Sequence, residues 1–334
     1  MRHRFLRWAA LLCALVFAAC GPSTAQTGGA TTQATPTLRP AGTVSATISP
    51  LGLNDDYEIA ADDTAVWVHD GLAATLLRID PKTNAIVATI HLGDGRGGVA
   101  LGLGAVWVVS SRAGLISRVD PQTNTVVATI PIEAEEEPLE NIAVSANALW
   151  LTDFIDNTLI RIDPQTKQVV AKLPNNPGVG WVSFGAGSVW ACNHHSDTQG
   201  LMRLDPLTNQ VQAQINPAGD KGFCGGVVAL AQSVWTISFL NDEPESVRVE
   251  RIDPATNKVS ATIPMPGILP GHLAADAQGV WAFDPAGTLY RIDPTTNRLV
   301  GSLALPGVPQ GIGVGAGSVW VATNTGMLRI TPAA

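Results

Sequence analysis

Nine residues before each of seven regularly spaced tryptophans the sequence reads Glu58, Gly98, Asn141, Trp181, Gly226, His272 and Gly311. Glycine is the repeated choice. Four positions carry instead a carboxylate, an amide, an indole and an imidazole. A carboxylate and an imidazole are the groups of general acid–base catalysis or of a metal shell, and an indole adds a stacking platform. His272 as a base and Glu58 beside it are therefore the candidate catalytic residues. A hydrogen-bonded histidine filling the space is the plainer account of His272, because no second histidine holds the matching position in a neighbouring repeat.

Three residues after the same tryptophans stands a second polar set: Asp70, Ser110, Asp153, Asn193, Ser238, Asp284 and Thr323. Capping of strand ends explains most of these. Asp70, Asp153, Asn193 and Asp284 join Glu58, Asn141, Trp181 and His272 as candidate ligand-binding residues. No Walker A loop, GxSxG, HExxH or CxxC occurs, so nothing marks a nucleophile. The pair His194-His195 lacks metal-site spacing. The acidic run Glu133–Glu140 lacks the alternating oxygen ligands of a calcium loop and reads as a solvated charge run. No metal ligand is assigned, and no cofactor is expected.

The elements that must position these residues repeat. RIDPKTNAIVATI at Arg78–Ile90 returns from Arg118, Arg161, Arg203, Arg251 and Arg291. A seventh copy is split between the termini, with RITP at Arg329–Pro332 and VSATI at Val44–Ile48. The tryptophans Trp67, Trp107, Trp150, Trp190, Trp235, Trp281 and Trp320 are spaced by 40, 43, 40, 45, 46 and 39 residues. That is the period of a four-stranded propeller blade. The fold expected is all-β: a seven-bladed β-propeller of antiparallel blades, closed by the N-terminal strand of about 43–48. Strand A is innermost, B carries the tryptophan, C ends in RIDP and D is VVATI, with DPxTN as the C–D turn.

Length variation is confined. From Trp to Arg the distances are 11, 11, 11, 13, 16, 10 and 9 residues, whereas the A–B and C–D intervals align without gaps. The variable D–A and B–C connections leave one face of a propeller, and variable loops on a rigid scaffold are where binding and catalysis concentrate. Asn193–Asp197, Asn216–Phe223 and Asn241–Glu245 elaborate that face, together with the acidic run.

Residues 1–19 carry Arg2, Arg4 and Arg7 ahead of a short apolar run, as in an export signal. Phe17-Ala18-Ala19-Cys20-Gly21 resembles a bacterial lipobox, which implies lipidation of Cys20. Residues 20–42 are rich in Thr, Ala, Gly and Pro and read as a tether, leaving 43–334 for the propeller. Loss of 1–19 removes three arginines and no acid, so 17 basic residues face 28 acidic ones, a net charge of −11. Nucleic acid is excluded as a partner by that charge, and the membrane is met through the anchor only. Cys192 and Cys224 are the remaining pair, and an exported chain favours a disulfide between them.

DPxTNxVVATI with the Val-Trp strand resembles the YVTN-type propellers and the wider virginiamycin B lyase-like group over nearly all of 43–334. The resemblance implies the propeller fold. It also implies, for the lyase branch, chemistry by histidine and glutamate with Mg²⁺ at the channel mouth. His272, in Gly271-His272-Leu273, stands at a position similar to that histidine, but the accompanying Glu-x-His pair is not present. The chain is therefore expected to be a lipid-anchored extracytoplasmic monomer that binds a small molecule or a protein. The alternative is a metal-assisted lyase or lactone hydrolase using Mg²⁺ or Ca²⁺, with Glu58, Asn141 and Asp284 near the cation. A purely structural scaffold is a third possibility.

Overall fold

In the computed structural model the described residues are 38–49, 57–133, 139–174, 179–193, 200–217, 219, 222–240, 243–268 and 272–334. Residues 1–37, with the expected export segment, Cys20 and most of the expected tether, lie outside them, as do Ala134–Pro138 and His194–Asp197. Side chains of Asn193, Glu243 and Glu245 are also not described.

Seven antiparallel sheets of four strands follow one another along the chain, and no helix occurs among the described residues. Blade 1 spans Tyr57–His91, blade 2 Val99–Pro131, blade 3 Leu139–Leu173 and blade 4 Val179–Ile215. Blade 5 spans Gly222–Pro264, blade 6 Leu273–Ala304 and blade 7 Pro309–Pro332 with Gly42–Ile48. Each inner strand touches the inner strand of the next blade, and that of blade 7 (Pro309–Gly315) touches that of blade 1 (Tyr57–Ala61). The contacts run round a complete ring.

The core is not central. It is seven separate apolar clusters, each shared by two successive blades, as with Trp107, Val109 and Ile116 of blade 2 against Leu149, Leu151 and Ile160 of blade 3. All seven repeat tryptophans are at most 1% exposed. Burying each indole contributes on the order of 2–3 kcal/mol. A blade has no core of its own, so the ring must close for the two end blades to bury their faces.

Closure uses the N-terminal chain. Gly42–Ile48 pairs antiparallel with Gly326–Pro332 as the outer strand of blade 7. The folded unit also starts earlier than the sequence reading placed it, at Leu38 rather than residue 43. Arg39–Pro40 add a fifth, parallel strand to blade 6, and Ala41 is fully buried. The reason is visible in blade 6, where RLVGSL carries Gly301 in place of the alanine of VVATI.

Turn chemistry explains why one face does not vary. Leu103-Gly104, Ala186-Gly187 and Ala316-Gly317 are two-residue A–B turns with φ between 49° and 71°, a geometry that tolerates no insertion. In the C–D turns Asp80 accepts a hydrogen bond from Lys82 N (2.8 Å), and Asn84 takes φ 59°. Those backbone bonds hold the Asp80 carboxyl below its usual range, as their equivalents do for Asp163, Asp205, Asp253 and Asp293. A bulge in each outer strand skips the residue before its alanine or glycine, which leaves Val87, Val127 and Val170 about half exposed.

Candidate functional site

A cavity of about 210 Å³ opens on the face of the variable loops, lined by Glu58, Arg96, Ser111, Glu140, Asn141 and Trp181. Glu58 comes from the inner strand of blade 1, Glu140 and Asn141 from that of blade 3 and Trp181 from that of blade 4. Arg96 belongs to the loop entering blade 2. Three of the four predicted mouth residues are thus brought together, and His272 is not among the lining residues. It stacks on Phe283 across blade 6, with ring centroids 4.7 Å apart. Its packing there removes water and pushes its pKa down to about 4, so the imidazole is neutral at pH 7.

Asn141 has a structural task as well. Its Oδ1 accepts a hydrogen bond from Val182 N (3.2 Å), and its own N–H donates to Thr152 Oγ1 (3.0 Å). Thr152 in turn donates to Gly180 O at 3.1 Å. Blades 3 and 4 are therefore tied together at the cavity floor, and Trp181 is held in a fixed frame.

Glu140, the last residue of the acidic run, lines the cavity. It keeps open surface on its outer side. The protein wall nevertheless displaces much of its hydration and raises its carboxyl to about 7. A Cβ on Gly180 would sit 3.1 Å from Glu140 Oε2, so glycine there leaves the carboxylate its room.

The second polar set makes turns. Asp70 Oδ1 accepts from Ala73 N (2.8 Å) and Asp153 Oδ1 from Asp156 N (2.9 Å). Asp284 accepts from Thr288 N and from the Tyr290 hydroxyl, both at 2.8 Å. The side chain of Asn193 lies outside what the structure describes. Among the described residues no group of three or more His, Cys, Asp or Glu side chains converges to hold a metal.

Sequence reasoning missed the loop that carries Arg96, and it missed His69. The run Gly93-Asp94-Gly95-Arg96-Gly97-Gly98 delivers Arg96 to the cavity. Gly97, at φ 145°, admits no side chain because a Cβ would come 2.7 Å from Val109 Cβ. His69 stands opposite Glu58 in the strand pair, is 1% exposed and meets Gly97 O through Nδ1 at 2.7 Å. Burial lowers its pKa. The glycine run was the available signal for the loop, whereas His69 lay two residues past Trp67, a position filled by apolar residues in most blades.

Beside the cavity Cys192 and Cys224 form a buried disulfide joining blades 4 and 5, with their Cα atoms 5.4 Å apart. The fold and the loop-face cavity together define a seven-bladed β-propeller with a polar, aromatic-walled mouth. No family model and no curated protein matches the chain. Its fold is that of a streptogramin B lyase structure, at TM-score 0.71 and 17% identity, covering 86% of this chain and 96% of that one. Virginiamycin B lyase from Staphylococcus aureus is similar, at TM-score 0.69 and 15% identity over 86% and 98%. The Neurospora crassa Pan2 WD40 domain follows, at TM-score 0.66 and 14% identity over 83% and 88%. Identities of this size speak for the fold alone.

Proposed function

We propose that this chain is a lipid-anchored, extracytoplasmic binding module that holds a small ligand with a cationic nitrogen at the propeller mouth. The observation that carries this reading is that Glu58, Glu140 and Trp181 line one cavity. An indole face and nearby carboxylates recognise an ammonium group through cation–π attraction and charge. Arg96 would take an acidic group on the same ligand. Export and anchoring rest on the basic–apolar segment 1–19 and on Cys20, and the net charge of −11 favours a cationic ligand.

Calorimetric titration with tetramethylammonium chloride, against sodium chloride at equal ionic strength, tests the site. Saturable heat that is lost in Trp181→Ala is the expected result. Heat indistinguishable from the sodium control, or unchanged in that variant, defeats the proposal.

A second reading is a lyase or lactone hydrolase. It is favoured by Glu140, whose carboxyl at about 7 suits a proton donor, beside Glu58 in the same cavity. His272 and Asp284 do not enter this version, since neither lines the cavity. Ring opening of a simple lactone, lost in Glu140→Gln, would move this reading ahead.

A further inference from the structure

On the opposite face, one blade seam differs from the rest. In every blade the arginine of RIDP or RITP, or its equivalent, lies over the blade's tryptophan, 5.2–5.6 Å from the ring centroid. Five of these arginines also reach the C–D turn of the next blade and donate to a carbonyl and to the turn asparagine. Arg78 meets Asn124 Oδ1 at 2.9 Å, Arg161 meets Asn209 at 3.0 Å and Arg203 meets Asn257 at 2.8 Å. Arg251 meets Asn297 at 3.0 Å and Arg329 meets Asn84 at 3.1 Å. Arg291 meets the Ala333 carbonyl instead.

Arg118 is the exception. The turn it faces reads Asp163-Pro164-Gln165-Thr166-Lys167, with lysine in the asparagine slot. Lys167 offers no acceptor and repels a second cation. Among the described residues Arg118 donates no hydrogen bond to the facing turn, and its Nε, like those of Arg161 and Arg291, is buried without a partner. The seam stands open as a cavity of about 600 Å³, lined by Arg118, Arg161 and Lys167 on the charged side and by Trp107, Leu103 and Val170 on the apolar side. Asp163 also lines it, but one oxygen of that carboxylate accepts from Gln165 N (2.8 Å) within its own turn.

We propose that the seam between blades 2 and 3 binds a small organic anion, a carboxylate on an apolar body. The carboxylate replaces the missing asparagine oxygen as the acceptor for Arg118, with Lys167 as a second cation, and the body lies along Leu103 and Val170. Guanidinium groups pair with carboxylates through charge-assisted bonds, and the cavity has the size of a small-molecule site. The site lies on the face away from the propeller mouth and does not depend on the reading of that mouth.

Benzoate is the probe, with benzyl alcohol as its neutral counterpart and inorganic phosphate as an anion without an apolar body. Binding to the full chain is followed by the arginine Nε–Hε NMR signal that Arg118→Gln removes. Expected is saturable movement with benzoate, at least about tenfold tighter than with either control. Lys167→Asn restores the acceptor found in the other turns and suits the left-handed backbone at φ 60°. It should abolish benzoate binding while raising Tm by roughly 2–4 °C, so the loss is not misfolding. No saturable benzoate shift, equal affinity for either control, or benzoate binding unchanged in Lys167→Asn overturns the proposal.

Discussion

Ala41 occupies the space that a side chain at residue 301 would need. A Cβ on Gly301 would lie 2.8 Å from Ala41 Cα and 3.0 Å from its nitrogen, while Ala41 N donates to Ser302 O at 2.9 Å. The other outer strands of blades 1 to 5 have alanine here and no fifth strand. Gly301→Val should expel residues 39–41 from blade 6 and cost about 2–3 kcal/mol through lost burial and hydrogen bonding. Hydrogen exchange at Ala41 N would rise with the fall in Tm; exchange that stays slow would show that the blade absorbs the side chain.

Closure itself predicts a larger effect. Deleting Gly42–Ile48 removes the outer strand of blade 7 and exposes the edge at Gly326–Pro332. An unpaired edge of that length promotes association. The deleted protein should aggregate during size-exclusion chromatography; a monomer with unaltered Tm would refute the role assigned to this strand.

The Cys192–Cys224 disulfide spans 32 residues of sequence. Cross-linking a loop of that size stabilises by about 3–4 kcal/mol in the loop-entropy model. Double replacement by serine should lower the denaturation midpoint with the m-value little changed, and titration of the unfolded, unreduced parent should find neither thiol. Two free thiols there would reject the bridge.

Glu250 is 1% exposed in blade 5, with Arg248 Nε at 3.8 Å and a hydrogen bond from Thr262 Oγ1 at 3.3 Å. Burial outweighs these partners and raises its carboxyl to about 7. The folded state therefore holds this proton more tightly than the unfolded state. Its contribution is complete below the ordinary value of 4.5 and is lost as pH rises through about 7. Glu250→Gln should gain on the order of 2 kcal/mol relative to the parent at pH 8 and nothing at pH 4. A mutant curve parallel to the parent across that range would contradict the shift.

His272 works in the opposite sense. Its pKa is pushed down from 6.5 to about 4, so its contribution is present above 6.5 and fades as pH falls through 4. His272→Gln should flatten the acid limb of the stability curve between those values. NMR titration of the ring gives the direct check, and a midpoint near 6.5 would contradict the burial.

The repeat was enough to specify the architecture. Seven tryptophans at blade period and seven Arg-x-x-Pro turns each encode a local sheet, and sheets with two apolar faces must stack. The split copy across the termini likewise encoded the N-terminal strand of blade 7. Such features are legible because strand alternation and turn chemistry act over a few residues. The fifth strand of blade 6 was not legible, since Gly301 acquires its meaning only when Ala41, 260 positions earlier, comes to lie against it. The mouth was half legible for the same reason. Glycine replacements at the inner strands pointed to Glu58, Asn141 and Trp181, whereas Glu140 was hidden in a charge run and His272 was turned onto Phe283 by packing. Lys167 was readable as a departure from DPxTN, but its partner Arg118 lies 49 residues away on another blade. Spacing along the chain defines each blade; which side chains meet between blades is decided by the curvature of the closed ring.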